Sequence, residues 1–281
     1  MIIDAHANFS SKQELSALER EAAREYFLTT GIEVTRHGSV EDLLRGMKRY
    51  GVLRAVLAPL ATSTSLREAE RLNNLLARAA RESRAIIPFA SVNPKCEGAA
   101  EELDRAIVEL RLRGVKLSPN LQDFTLARDE VWSLFETIEQ LRIPVLLCPG
   151  FASSVERGNF SPEEANELIA SFPRVTFIFA HLAKHRRREA TPGVIPEPNV
   201  YLETSHAPAE VILRAMEIFG VDKLLFGSDF RYNFYPGYEI EKIASLPVAE
   251  EEKRKILYEN AARLFGIEEK RGLLSSLLGR R

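Results

Sequence analysis

Cysteine is almost missing from this 281-residue chain, which has only Cys96 and Cys148. Two thiols cannot form a disulfide framework, so the fold must rest on a hydrophobic core, and a reducing, cytoplasmic location is expected. No uninterrupted apolar run approaches the ~20 residues needed to span a bilayer, so no membrane partner is expected. The first residues carry no basic segment ahead of an apolar stretch, and a secretory leader is not expected either. A dominant charge is also lacking: 38 Lys and Arg face 40 Asp and Glu, a formal net charge of −2. That balance leaves no electrostatic basis for binding nucleic acid. No low-complexity segment is visible, and no repeat beyond the alternation described next.

What the chain does have is a regular alternation. Short, largely apolar runs occur at 2–4, 53–59, 85–92, 114–118, 143–148, 174–181, 199–204 and 222–228. Nearly continuous apolar runs suit parallel strands covered on both faces. Between them lie helical patterns at 39–51, 65–83, 101–114, 127–142, 161–172, 208–220 and 248–266. Ser39 is placed to cap the first and Gly51 to end it, while Pro162 follows a capping Ser161. Eight alternations predict an α/β fold of the (β/α)8 TIM-barrel type, a single domain over 1–281. A doubly wound open sheet would place a Gly-rich turn after its first strand, and HANFS supplies none. The stretch 7–38 is long for a βα connection and reads as a helical insertion, a lid or partner surface. The tail at 268–281 reads as a short helix packed on the barrel.

In such a barrel chemistry gathers at the C-terminal ends of the strands. The first strand ends with Asp4, His6 and Asn8, which a two-residue period places on one face. Lys116 belongs to the fourth strand, Cys148 ends the fifth and His181 the sixth. Glu203, followed by His206, ends the seventh, and Asp229 follows the eighth. A lone strand-end histidine is commonly a hydrogen-bonded core residue. Two of them with a thiol and a carboxylate on one face point to a site.

The motifs IIDAHAN, RGVKLSP, PVLLCPG, FIFAHLAKH, NVYLETS, KLLFGSDF and KILYENAARLFGI occur in order across nearly the whole chain. Together they resemble the amidohydrolase superfamily, in the amidohydrolase-related branch that includes aminocarboxymuconate-semialdehyde decarboxylase and metal-independent dicarboxylate lactonases. The resemblance implies two first-strand histidines, one histidine each on the fifth and sixth strands, and an aspartate on the eighth. His6 matches the first metal ligand, and His181 the histidine that polarises or deprotonates water or substrate. Asp229 matches the aspartate that binds metal and handles a proton. Asn8 and Cys148 stand where two ligand histidines belong.

An amide oxygen is a weak zinc ligand, whereas a thiolate is a strong one. One divalent ion, zinc by preference, held by His6, Cys148 and Asp229 with Asn8 as a doubtful fourth, is chemically allowed. Equally open is a site without metal, run by His181 and Asp229 as an acid/base pair. A third reading makes Cys148 a nucleophile, although a cysteine ending an apolar strand is commonly a small buried hydrophobe. A binuclear site bridged through Lys116 is not expected without the paired histidines, and Lys116 is expected to pair with Asp229 or Asp4. His37 and His206 are expected to be structural or solvent-facing. Arg231, Tyr232, Lys184 and His185 near the mouth, with Lys116, are candidate contacts for a small anionic substrate.

The leading expectation is a hydrolase acting on an amide, lactone or ester through activated water. A nonoxidative decarboxylase of an unsaturated or aromatic acid is the alternative, and a non-catalytic binding barrel with a degenerate metal site is a third. The resemblance also implies a homo-oligomer.

Overall fold

The computed structural model describes residues 1–9, 24, 38–149, 159–183, 193–230 and 237–268. The expected insertion (7–38) and tail (268–281) lie almost wholly outside them, as do Lys184, His185, Arg231, Tyr232 and His37.

All eight expected strands are present. They are β1 (Ile2–Ala7), β2 (Val52–Leu57), β3 (Ile86–Pro88 with Ala90–Ser91), β4 (Val115–Leu117), β5 (Val145–Leu147), β6 (Phe177–Phe179), β7 (Val200–Glu203) and β8 (Leu224–Leu225). Each pairs in parallel with the next, and the two pieces of β3 serve β2 and β4 respectively. Phe89 joins those pieces, its N–H donating to Leu57 O at 3.0 Å. The cylinder closes where Ala5 N–H donates to Phe226 O (2.8 Å), Asp229 N–H to His6 O (2.8 Å) and Asn8 N–H to Phe230 O (2.7 Å). A parallel bridge between Ala7 and Phe230 completes the seam. This is the expected (β/α)8 barrel, and its closing seam carries three of the expected site residues.

The apolar residues divide between two buried layers. Ile3, Val56, Ile87, Leu146, Cys148, Ile178 and Leu225 pack with Tyr258, Ala261 and Phe265 of the C-terminal helical segment. A larger layer, with Leu57, Leu117, Val145, Leu147, Phe177, Phe179 and Leu202, meets the apolar faces of the surrounding helices. This two-sided burial explains why the strands read as apolar runs rather than as an alternation.

The helix Val40–Tyr50 begins at a capping box in which Ser39 Oγ accepts from Asp42 N–H (3.1 Å) while Asp42 accepts from Ser39 N–H (2.9 Å). It ends at Gly51, whose φ of 69° is readily adopted only without a side chain. Ser39→Ala is expected to cost about 1 kcal/mol, read as a lower urea midpoint at unchanged m-value. The helix expected over 101–114 is shorter. It spans Ala99–Val108, and the chain then turns through Arg111 at φ 64°. Among the described residues, two α-helices lie where none was expected: the single turn Pro119–Gln122 and the two-turn helix Gly237–Ala244. No helix among the described residues is long and apolar enough to cross a membrane.

Candidate active site

His6, Asn8, Lys116, Cys148, His181, Glu203 and Asp229 are all buried, each at most 7% exposed. The closing seam sets the first of them. Asp4 accepts from His6 N–H and from Ser228 N–H, each at 3.0 Å, and from Ser228 Oγ. Asp4 therefore ties the end of β1 to the segment bearing Asp229, a structural task.

Glu203 is the hub. Its Oε2 accepts from His6 Nδ1–H (2.9 Å) and Ser205 Oγ–H (2.8 Å), and Oε1 accepts from Ser205 N–H. Desolvation opposes the charge on Glu203, but these donors and the neighbouring imidazoles outweigh it and hold the carboxyl down to about 2. The carboxylate lies directly against Gly227, where an added Cβ would meet Glu203 Oε1 at 2.1 Å. Only glycine admits that approach. Residue order shows Glu203 only as a strand end, because its link to His6 spans 197 positions.

His6 has its Nδ1 proton committed to Glu203, which leaves the Nε2 lone pair facing inward. That lone pair accepts from the Lys116 ammonium at 2.8 Å, and Lys116 also donates to Asn8 Oδ1 at 2.8 Å. Asn8 Nδ2 in turn donates to Asp229 Oδ1, so one amide bridges the ammonium and the carboxylate. Burial, followed by the Lys116 charge, pushes His6 down to about 4, and it is neutral at ordinary pH.

His181 stands beside Cys148, with Nε2 3.5 Å from Sγ. Its Nδ1 faces Ser205 Oγ (2.9 Å) and the Ser205 carbonyl (3.2 Å); a carbonyl only accepts, so Nδ1 carries a proton. Burial works against a charged imidazole, yet the Cys148 sulfur and the Asp229 and Glu203 carboxylates raise His181 to about 9. Conversely, burial pushes the Cys148 thiol up, but His181 and Lys116 bring it below its usual value. Both shifts favour placing the proton of the pair on His181 rather than on Cys148.

His206, expected to be structural or solvent-facing, is an exposed residue that also reaches the constellation. Its Nε2 lies 3.1 Å from Asp229 Oδ2, and its side chain keeps 27% exposure. The His181 and His206 rings are 5.4 Å apart. His181, His206 and Asp229 all adopt positive φ (57°, 56° and 45°). Each such backbone costs of order 1–3 kcal/mol, and strain of this kind gathers at functional sites. Nothing in the residue pattern before His206 signalled it, because the turn after β7 decides where its ring lies.

Two sets of donors converge to within 4.8 Å among the described residues: His6, His181 and Glu203, and His181, His206 and Asp229. Cys148, part of the expected ligand set, belongs to neither. A metal at His6 needs the Nε2 lone pair, and that lone pair accepts from Lys116. His6 Nε2 also lies 3.3 Å from Asp229 Oδ1, so an ion at the expected positions would have to displace the Lys116 ammonium from between them.

The titrations predict a stability profile. His6, lowered to about 4, and Glu203, lowered to about 2, bind protons more weakly folded than unfolded. Their contributions are therefore lost as pH falls, from about 6.5 to 4 for His6 and from about 4.5 to 2 for Glu203. His181 alone would contribute fully below 6.5 and lose its contribution as pH rises through about 9. The lowered Cys148 thiol opposes that loss, because a thiol that binds its proton more weakly folded than unfolded gains stability as pH rises. Urea midpoints are expected to fall steadily below pH 6.5 and to stay level up to about 8. A midpoint that rises on acidification would contradict the neutral His6.

A sequence profile described as Amidohydrolase matches residues 3–267. Comparison with curated proteins finds no match. Solved structures match along almost the whole chain. One is 5-carboxyvanillate decarboxylase from Sphingomonas paucimobilis, at 15% identity and TM-score 0.70, covering 95% of this chain and 99% of that one. Another is dihydroxybenzoic acid decarboxylase from Polaromonas sp. JS666 with bound manganese and the inhibitor 2-nitroresorcinol, at 19% identity and TM-score 0.65, covering 97% and 98%. A third is 4-oxalomesaconate hydratase from Rhodopseudomonas palustris, at 20% identity and TM-score 0.64, covering 95% and 96%. At these identities the likeness shows a shared fold alone.

Proposed function

Because this chain belongs to the amidohydrolase family, whose profile spans residues 3–267, we propose that its barrel mouth is an active site for a small carboxylic acid. The reaction we assign is nonoxidative decarboxylation of an aromatic or unsaturated acid. The observation that carries this reading is a proton-bearing imidazole in a buried site: His181 is raised to about 9 and faces the Cys148 sulfur at 3.5 Å.

Decarboxylation asks for an acid, while hydrolysis asks for a base that will take a proton from water. At neutral pH His181 is already protonated. It gives a proton to the carbon bearing the carboxylate, the bond to that carboxylate breaks, its electron pair stays on the carbon and carbon dioxide leaves. His181 is then reprotonated from solvent, with Cys148 and Ser205 holding its ring in place. Lys116, anchored on His6 and Asn8, supplies fixed positive charge beside the reacting groups. Two of the neighbouring folds are decarboxylases of aromatic acids by description, which supports the same substrate class. Lys184, His185, Arg231 and Tyr232 remain the candidates for holding the anionic substrate, on the strength of their sequence positions. No step is assigned to a metal.

Hydrolysis, the leading expectation from the sequence, stands second. The observation in its favour is the Asp229–His206 pair, 3.1 Å apart and partly exposed, which is placed to take a proton from water.

Aryl carboxylic acids and lactones, offered to wild type and to Asp229→Asn, separate the two. Carbon dioxide release, with solvent deuterium appearing at the vacated carbon, is expected from acids. Turnover of lactones alone, with no carbon dioxide from any acid, would overturn the decarboxylase assignment. Equal turnover by wild type and Asp229→Asn would remove Asp229 from either mechanism.

A further inference from the structure

We propose that the Lys116 ammonium fills, between His6 and Asn8, the position of the divalent cation that the family resemblance implies, so that this chain works with a built-in monovalent charge there. The inference deepens the catalytic reading of the site and rests on it for its functional meaning.

Three observations carry it. First, Lys116 is 1% exposed, and its Nζ lies 2.8 Å from His6 Nε2, on the lone pair that a metal would use. A zinc or similar ion would sit about 2.0–2.1 Å from that nitrogen, so ion and ammonium would compete for one place. Second, the departure at Asn8 suits an ammonium and not a metal. Its Oδ1 accepts from Lys116 at 2.8 Å while its Nδ2 donates to Asp229 Oδ1. The short amide side chain places acceptor and donor on neighbouring atoms, where they reach Lys116 and Asp229 together. The amide thus satisfies the cation and ties the Asp229 carboxylate beside it. Third, Cys148, at the other changed ligand position, has its sulfur engaged by His181 Nε2 at 3.5 Å and belongs to neither converging donor set. The two substitutions and the lysine therefore form one arrangement. Asn8 receives the ammonium, and Cys148 turns from ligand position to counter-charge for His181.

A buried ammonium also explains the polarity of its surroundings. His6 presents a lone pair rather than a proton because Glu203 holds its other nitrogen. Glu203 thereby acts on Lys116 through His6, selecting the tautomer that can accept.

The test is metal content. Wild type is purified without added metal, then incubated with zinc or manganese, desalted and analysed for bound metal. No stoichiometric ion is expected, nor any shift in melting temperature on adding EDTA. Lys116→Met combined with Asn8→His removes the ammonium and restores the imidazole, and is expected to retain about one ion per chain, lost again when His6→Ala is added. About one ion per chain in wild type, lost on His6→Ala, would overturn the proposal; an ion retained in His6→Ala belongs to the His181, His206 and Asp229 set and leaves Lys116 in its place. A folded double variant that takes up none would also overturn it. Should the double variant fail to fold, calorimetric titration of wild type and His6→Ala with zinc decides, and stoichiometric binding that His6→Ala abolishes again overturns the assignment. Because none of these readouts is turnover, inactivity on every acid would sink the decarboxylase reading and leave this assignment standing.

Discussion

His181→Asn is expected to lower kcat for the acid substrate by about 10²–10⁴-fold, the range a positioned general acid supplies. Asparagine is the informative replacement because His181 sits at φ 57°, a left-handed conformation that asparagine tolerates better than most residues. The loss then reports the missing proton rather than a strained backbone, and the melting temperature should stay near that of wild type. The pH profile of kcat/KM offers an independent check. The acid form of His181 predominates below about 9, so the rate should fall with rising pH through that value. Cys148 shares this titration, so the limb belongs to the pair. Replacing Cys148 by Ser weakens the counter-charge, and the limb should move to lower pH. Full activity in His181→Asn would exclude His181 as the acid. An unmoved limb in Cys148→Ser would show that the thiolate does not hold the proton on His181.

Glu203→Gln is expected to produce the largest loss of stability, about 3–5 kcal/mol, the cost of removing one partner from a buried charged network. The carboxylate is fully buried and accepts from His6 Nδ1–H, Ser205 Oγ–H and Ser205 N–H. An amide of the same shape must turn an NH2 toward at least one of these donors, leaving two donors face to face. The Glu203–Gly227 contact leaves no room for the side chain to move away. Equilibrium urea unfolding at pH 7 measures the effect. A change under about 1 kcal/mol would mean that Glu203 is not the organising charge. Activity should fall as well, because His6 loses the partner that sets its tautomer and Lys116 loses a well-defined acceptor.

Much of this architecture can be read from residue order. The apolar runs and helical periods give eight βα units because burial on both faces of a barrel strand leaves its mark in every run. Caps such as Ser39, Ser161 and Gly51 act within a few residues and are equally legible. Chain position also places His6, Lys116, Cys148, His181 and Asp229 on one face, since the barrel brings all strand ends together. Local pattern fails where the determinant lies outside the segment. The helix expected to reach residue 114 stops at Val108 because the chain must turn back through Arg111 to enter β4.

The chemistry of the site required the tertiary structure. From its position Asn8 was a weakened ligand and Cys148 a possible strong one. In space Asn8 joins an ammonium to a carboxylate, and Cys148 faces an imidazolium. His206 enters only because its turn aims it at Asp229, and Glu203 matters only through residues up to 197 positions away. Sequence by itself determined the barrel, its family and the inventory of polar groups at its mouth, because strand order and burial are local consequences of side-chain type. Which of those groups are charged, and which partner each holds, was decided by the fold. Hydrogen bonding and desolvation act between atoms a few ångströms apart in space, however far apart they lie along the chain.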